Sequence, residues 1–389
     1  MALVLSQRKI VFPAIALALC THASTSLTTW TKFPGGGPTP PRSGHVCVAD
    51  RGGDGELTGR AWLFGGYAED PVTGAREVVN DLWCFDGDAW AQVETQGPRP
   101  GPRLCTAAAM APNHQELLLF GGWDPQTAGT GGVILDDVWA LNLTSLQWSV
   151  LAAPMPGGPT SRHVATCVEG AGVVVHTHRC GHTVLRWDDA VRALAPQPCS
   201  GTPPSKRGLH CAAAVGKNLV VFGGAAQDGA MANDCFALDT VTWTWRELAP
   251  LEEDAMPTSS SSSCSSSSSS SSSDSSSRLA SRPSARAGSA ACAVGGLFVM
   301  SGGAEPPAAG EPGGLVPRGD VWHLGVAAAA GGHVEEAWRL AAGDAAAGAP
   351  APRNAHSLTH LGNGRVLCHG GWHPFVRTFG DTALLAITT

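Results

Sequence analysis

Residues 175–182 read VHTHRCGH, and their alternation places His176, His178, Cys180 and His182 at every second position. On an extended strand such residues share one face, and imidazole with thiolate is a donor set for zinc, copper or iron. Same-face neighbours on a strand stand ~6.7 Å apart, so one ion reaches them only if the chain turns at Gly181. A hairpin there leaves His178 and His182 as the metal candidates, without an acidic partner. A tight loop with its polar groups facing water is the simpler account, and no metal or other cofactor is expected.

A second set of residues recurs along the whole chain. Arg42, Arg103, Arg162, Arg207, Arg286 and Arg353 each close a short stretch rich in Pro, Gly or Ser (PPR, GPR, TSR, SKR, SAR and APR), and a run of small residues follows each of them. A guanidinium makes forked hydrogen bonds to carboxylates, whether these belong to a ligand or to the protein's own Asp residues. There is no nucleophile elbow, no phosphate-cradling glycine loop and no paired-carboxylate motif in a supporting context. Glu252, Glu253 and Asp254 form an acidic run that reads as a solvated loop.

The elements that must position these arginines are legible from composition. The chain has 389 residues, 43% of them apolar, with 49 Gly and 28 Pro, and its aromatic content of 6% is mostly Trp. Such a chain favours short strands and many turns over helices, so an all-β fold is expected. Its net charge is −7 and its 25 basic residues are scattered, which speaks against nucleic acid as a partner. Most of the 12 cysteines sit in apolar runs such as GHVCVA and AACAVGG, where a thiol behaves as a small buried hydrophobe, and no CxxC pair occurs.

Arg8 and Lys9 precede an apolar run, Ile10 to Cys20, and then Thr21-His22-Ala23, so residues 1–23 read as a signal peptide. The run is too short to span a bilayer. A cleaved leader implies secretion or an endomembrane lumen, and otherwise the chain is cytoplasmic. Asn142 opens the sequon Asn142-Leu143-Thr144 and becomes a glycosylation site in the secreted case.

Internal repetition then organises residues 24–389 as one domain. GRAWLFGG, QELLLFGG, KNLVVFGG, GLFVMSGG and GRVLCHGG end at Gly66, Gly122, Gly224, Gly303 and Gly371. An apolar run closed by two glycines reads as a strand entering a turn that needs positive φ. After a variable loop each copy resumes at an acidic strand start (NDLWCFD, DDVWALN, NDCFALD, GDVWHLG, GDTALLA), with Trp83, Trp139, Phe236, Trp322 or Ala383 two residues beyond the Asp. A further run carries Trp90, Trp148, Trp243 or Trp338 and leads into the next arginine.

This unit of four strands, a Gly pair and two spaced aromatics resembles the kelch repeat, whose family fold is a β-propeller. Residues 162–204 keep the strand rhythm but lose the Gly pair and the fourth-strand Trp, so they read as a degenerate copy. Counting it gives six blades. The last copy supplies three strands, and TTWTKFP near the start, with Trp30 12 residues before Arg42, matches a fourth. The expected fold is therefore an all-β, six-bladed kelch β-propeller whose N-terminal strand completes the C-terminal blade, as a monomer. Residues 252–281, a Ser tract, are expected to be a disordered insertion.

In such a ring all six arginines stand at the start of an innermost strand, on the rim that also carries the loops between second and third strands. The resemblance implies that this rim holds the partner, with Arg42, Arg103, Arg162, Arg207, Arg286 and Arg353 as ligand-binding residues for an unidentified protein or anionic ligand. Glu69, Asp70, Arg76, Trp123, Asp124, Trp372 and His373 would set specificity. Galactose-oxidase-like propellers need two ligand tyrosines, and Tyr67 is the single tyrosine of this chain. Nitrile-specifier proteins carry an E-x-x-x-D-x-x-x-H pattern, against which Glu77 and Asp81 are followed by Phe85, which cannot coordinate iron. The expected function is a non-catalytic scaffold for a protein or glycan; the alternative is a small-molecule lyase or sugar isomerase at the channel mouth, with or without the assistance of a metal.

Overall fold

The computed structural model describes residues 28–38, 40–126, 131–250, 282–308, 314–328 and 334–388. The expected signal peptide and Ser-rich insertion lie outside them. Every regular element among the described residues is a β-strand, and the strands form six antiparallel sheets of four principal strands each. Blade 1 comprises Val46–Arg51, Leu57–Glu69, Arg76–Phe85 and Trp90–Val93, and blade 2 comprises Ala107–Met110, Glu116–Asp124, Val133–Asn142 and Gln147–Val150. Blade 3, the degenerate copy, comprises Val164–Val168, Gly172–His176, Thr183–Asp188 and Ala193–Pro198. Blade 4 runs through Cys211–Val215, Asn218–Phe222, Cys235–Asp239 and Thr244–Glu247, and blade 5 through Ala290–Val294, Leu297–Ser301, Val321–Ala328 and Val334–Ala342.

Blade 6 closes the ring. Its strands Ser357–Gly362, Arg365–His369 and Thr382–Ile387 are joined on the outside by Thr28–Lys32, which pairs antiparallel with the last strand from Thr28 opposite Ile387 to Lys32 opposite Ala383. Trp30 is 7% exposed and faces Leu385. The N-terminal segment thus covers what would otherwise be an open sheet edge. The innermost strands touch in a complete circle from blade 1 round to blade 6 and back.

No single blade can bury both of its faces, so the core is divided among the interfaces. Six apolar clusters lie one between each pair of neighbours, for example Phe222, Phe298, Met300 and Trp338 between blades 4 and 5. The cluster between blades 6 and 1 is the smallest, with Ala61, Phe85, Leu361 and Leu367 fully buried. Polar contacts supplement it: His45 meets the Ser357 hydroxyl at 3.0 Å, the Trp90 indole N–H donates to Thr382, and the Thr359 hydroxyl donates to the Cys47 carbonyl.

The outer tryptophans follow one register. Trp148, Trp245, Trp338 and Trp30 face Leu141, Leu238, Leu324 and Leu385 across the third and fourth strands, and Trp90 faces Phe85. In blade 4 the repeat residue is therefore Trp245, 1% exposed, and not Trp243, which stands in the turn with a φ of 53° under the Arg186 guanidinium. Blade 3 has not lost its large residue either. Trp187 of the third strand faces Leu194 of the fourth, so the Trp and Leu have exchanged strands and similar volume fills the same gap.

Candidate functional site

The recurrent arginines build the blades. Arg42 forks onto Asp81 (2.6 and 2.9 Å), Arg103 onto Asp137 (2.6 and 2.8 Å), Arg286 onto Asp320 (2.6 and 3.0 Å) and Arg353 onto Asp381 (2.8 and 2.9 Å). Arg207 pairs with Asp234 in the same way. Each of these guanidiniums also donates to the carbonyl of the first glycine of its own blade's pair: Gly65, Gly121, Gly223, Gly302 or Gly370. In blades 1, 2 and 5 the Trp two residues beyond the Asp donates its indole N–H to the same carboxylate, at 2.6–2.7 Å. In blade 6, where that position is Ala383, Arg353 stacks on Phe379 at 4.1 Å instead.

The second glycine of each pair joins the blades. Its N–H donates to the carbonyl that opens the next blade: Gly66 to Arg103, Gly122 to Thr160, Gly224 to Arg286, Gly303 to Arg353 and Gly371 to Arg42. A Cβ on the first glycine would come within 2.6–2.8 Å of that same carbonyl oxygen, which is why the position cannot carry a side chain.

Arg42, Arg103, Arg207, Arg286 and Arg353 are 0–3% exposed, so the structure corrects the expectation that they bind a ligand. Their carbonyl-and-carboxylate surroundings consume the donors a ligand would need. Burial alone would raise the Asp381 carboxyl, but the Arg353 fork outweighs it and holds the group below the usual carboxylate range. The sequence carries a signal for this role, since every one of these five arginines has its Asp two residues before the Trp, Phe or Ala of its blade's third strand.

Arg162 belongs to a different position. In blades 1, 2, 4, 5 and 6 the arginine precedes by three a small polar or His residue beside the second glycine: His45, Thr106, His210, Ser289 or His356. Counting back three from His163 gives Thr160, which is 1% exposed and takes the arginine's place. The strand register puts Thr183 where the Asp should be, so blade 3 has lost both members of the pair. Arg162 falls two residues later and is exposed, with its guanidinium carbon 5.3 Å from the Trp123 ring centroid.

That later position has its own geometry. Gly44, Cys105, Arg162, Leu209, Gly288 and Ala355 all have φ between 51° and 72°, and their backbones form a closed circle of hydrogen bonds. The N–H of Cys105 donates to the Gly44 carbonyl, Arg162 to Cys105, Leu209 to Arg162, Gly288 to Leu209, Ala355 to Gly288 and Gly44 to Ala355, at 2.8–3.0 Å. Non-glycine residues in the left-handed region cost about 1 kcal/mol or more each, and four of the six positions accept that cost. The ring defines the channel mouth, and Arg162 is its one charged member.

Around the mouth lie the loops between second and third strands. Glu69 and Arg76 face each other across one hairpin at 3.4 Å, Glu69 also accepts the Thr378 hydroxyl of blade 6, and Asp70 caps its own loop through Val72 and Thr73. Trp123 lies under Arg162, Asp124 accepts the Gln126 N–H, Trp372 packs edge-on against Phe375 at 6.0 Å, and His373 contacts the Pro374 carbonyl. Of the six recurrent arginines, Arg162 is the one classed as exposed.

The histidines part company. His176 ends a strand, is 1% exposed, and meets His210 of blade 4 at 3.0 Å. His178 stands where other blades have their second glycine, 3.4 Å from the Thr160 hydroxyl, while the His182 carbonyl accepts the Cys199 N–H. Cys180 turns inward onto Thr177. No group of three metal-binding side chains occurs among the described residues. Further histidines of blades 3 and 6, missed in the sequence, are buried: burial, with some help from neighbouring charges, pushes His176, His356 and His369 down to about 3 and His163 to about 4. Asn142 lies at the opposite rim, where its side-chain oxygen accepts the N–H groups of Thr144 and Ser145.

Comparison with known proteins agrees with this architecture. Residues 18–176 match the family model described as the KLHDC2/KLHL20/DRC7 Kelch-repeats domain. Similar curated proteins include Kelch domain-containing protein 2 of Bos taurus (28% identical over 249 residues, 54% of this chain and 56% of that protein) and an F-box/kelch-repeat protein of Arabidopsis thaliana (29% over 190 residues, 46% and 35%). Acyl-CoA-binding domain-containing protein 6 of Oryza sativa subsp. japonica is 27% identical over 188 residues, 41% of this chain and 26% of that protein. The chain spans from about a quarter to just over half of the length of these relatives. A solved structure described as YjhT superposes with a TM-score of 0.60 over 91% of this chain and 99% of that one, at 14% identity, a likeness of fold alone. The repeated Gly pairs, the Arg–Asp forks and the closed ring of blades are those of a kelch-repeat β-propeller with six blades.

Proposed function

We propose that the chain is a non-catalytic scaffold that holds a polypeptide partner on the rim carrying Arg162 and the loops between second and third strands. The observation that carries this reading is an exposed apolar ridge there. Leu315, Val316, Phe375 and Val376 are 39%, 41%, 86% and 66% exposed, and the Gly314 backbone and Trp372 both approach the Phe375 ring, so the loops of blades 5 and 6 present one continuous surface. Contiguous exposed apolar side chains mark an interaction surface, whereas isolated ones do not. Val191 and Val241, exposed on the opposite rim, stand singly in the tight turns of blades 3 and 4.

Polypeptide is favoured over glycan because the ridge is aliphatic as well as aromatic, and branched aliphatic groups offer no hydrogen bonds to hydroxyls. The full chain, cross-linked to partners in a cell extract, tests the assignment of the face. The Phe375→Asp/Val376→Asp variant is expected to lose the captured proteins, and Val191→Asp/Val241→Asp is expected to keep them. The opposite pattern would overturn it.

A further inference from the structure

The altered third blade changes the charge of the channel mouth. At five blades the guanidinium is spent inside the fold, and at the third it is displaced by two residues onto the ring of left-handed positions. Arg162 is exposed, has no carboxylate partner among the described residues, and rests its guanidinium on Trp123. Arg179 and Lys206, both exposed, flank the same sector, and the Arg179 guanidinium donates to the Gly158 carbonyl. Loss of the Asp from this blade removed the local negative charge along with the arginine's old role. The sector is therefore cationic beside an aromatic face, directly across the ring from the apolar ridge of blades 5 and 6.

We infer that Arg162 is the anchor for an acidic side chain of the partner polypeptide, whose apolar residues lie on the Phe375 ridge across the mouth. This rests on the rim reading above and names the chemistry it selects. A guanidinium held over an indole can still present N–H groups for a forked pair with a carboxylate, and the cation–π contact lowers the freedom lost on binding. The pair forms at a partly shielded mouth, where it contributes more than on open surface. Arg179 and Lys206 add long-range attraction for an acidic segment and make its capture salt-sensitive.

The test uses the immobilised full chain to select from a displayed library of random dodecapeptides fused at their C-terminal ends, so that no terminal carboxylate is offered. Enriched peptides are expected to carry Asp or Glu together with an aromatic or branched apolar residue. Resynthesised with amidated ends, they should bind at least tenfold more weakly to Arg162→Gly, while Arg162→Lys retains part of the affinity. Replacing the peptide's acidic residue by its amide should cause the same loss on the wild type and no further loss on Arg162→Gly. Glycine already occupies two of the six ring positions, so Arg162→Gly is expected to keep the wild-type melting temperature, which is measured alongside.

Peptides that bind Arg162→Gly as well as wild type, or a selection that enriches no acidic residue, would overturn the anchor. If such peptides are nevertheless lost with Phe375→Asp/Val376→Asp, the rim reading stands without Arg162. If they are lost only with Val191→Asp/Val241→Asp, both fall.

Discussion

Asp320→Ala isolates the structural role assigned to the recurrent arginine. The Asp320 side chain is 4% exposed and that of Arg286 1%, the most completely buried of the five pairs. The carboxylate accepts both terminal nitrogens of Arg286 and the Trp322 indole N–H. Its removal leaves a buried guanidinium with only the Gly302 and Ser284 carbonyls and the Ser284 hydroxyl. Removing one partner of a buried pair costs about 3–5 kcal/mol. Over the 315 described residues, an unfolding entropy of ~2.1 cal/mol/K per residue makes that a fall in melting temperature of roughly 5–8 °C. Differential scanning calorimetry reads it directly. Arg286→Met/Asp320→Leu removes both charges and should recover most of the loss, because the buried charge and not the vacated volume carries the cost. An Asp320→Ala protein that melts within about 1 °C of wild type, or a double variant no better than the single, would show that the buried pair does not stabilise the blade.

Three further outcomes follow from the same geometry. The buried histidines are held below the unfolded value of about 6.5, so the unfolded chain binds more protons; stability is full above pH 6.5 and falls as pH drops toward 3–4. Each of His176, His356 and His369 contributes up to about 2 kcal/mol of loss between pH 7 and 5, and urea titrations across that range should show it, with His176→Phe flattening the slope. Trp187→Leu should cost about 2–4 kcal/mol and Trp187→Leu/Leu194→Trp much less, since the exchange restores the volume between blades 2 and 3; chemical denaturation of the two variants checks it. Trp30→Ala should cost about 3–5 kcal/mol by unpacking the closing strand, and a truncation of residues 24–34 should lose cooperative melting altogether.

Much of the ring was legible because its constraints are local. The Gly pairs mark where neighbouring blades touch, the acidic residue marks the third strand, and the distance from Trp30 to Arg42 places the closing strand. What misled was register in the copy with fewest constraints. Arg162 looks like its five counterparts by residue type, but the spacing to His163 assigns that place to Thr160. The choice of Trp243 over Trp245 failed for the same reason, since the alternation of TWTW offers both and only pairing with Leu238 decides. The exchange of Trp187 and Leu194 is invisible to a search for a Trp in the fourth strand, because packing requires a volume in the gap and not a residue on a given strand. Burial of the arginines was readable from their matched Asp residues. Their convergence at one rim suggested a ligand, whereas each charge is answered within its own blade.

The buried arginines hold the blades together, and the displaced one is left for binding. Arg103→Ala and Arg162→Gly, each measured for both melting temperature and affinity for an acidic dodecapeptide selected on the wild-type rim, test it most directly. Arg103→Ala is expected to lower the melting temperature by several degrees, and Arg162→Gly to melt like wild type but bind at least tenfold more weakly. Unchanged melting with lost binding for Arg103→Ala, together with unchanged binding for Arg162→Gly, would contradict it.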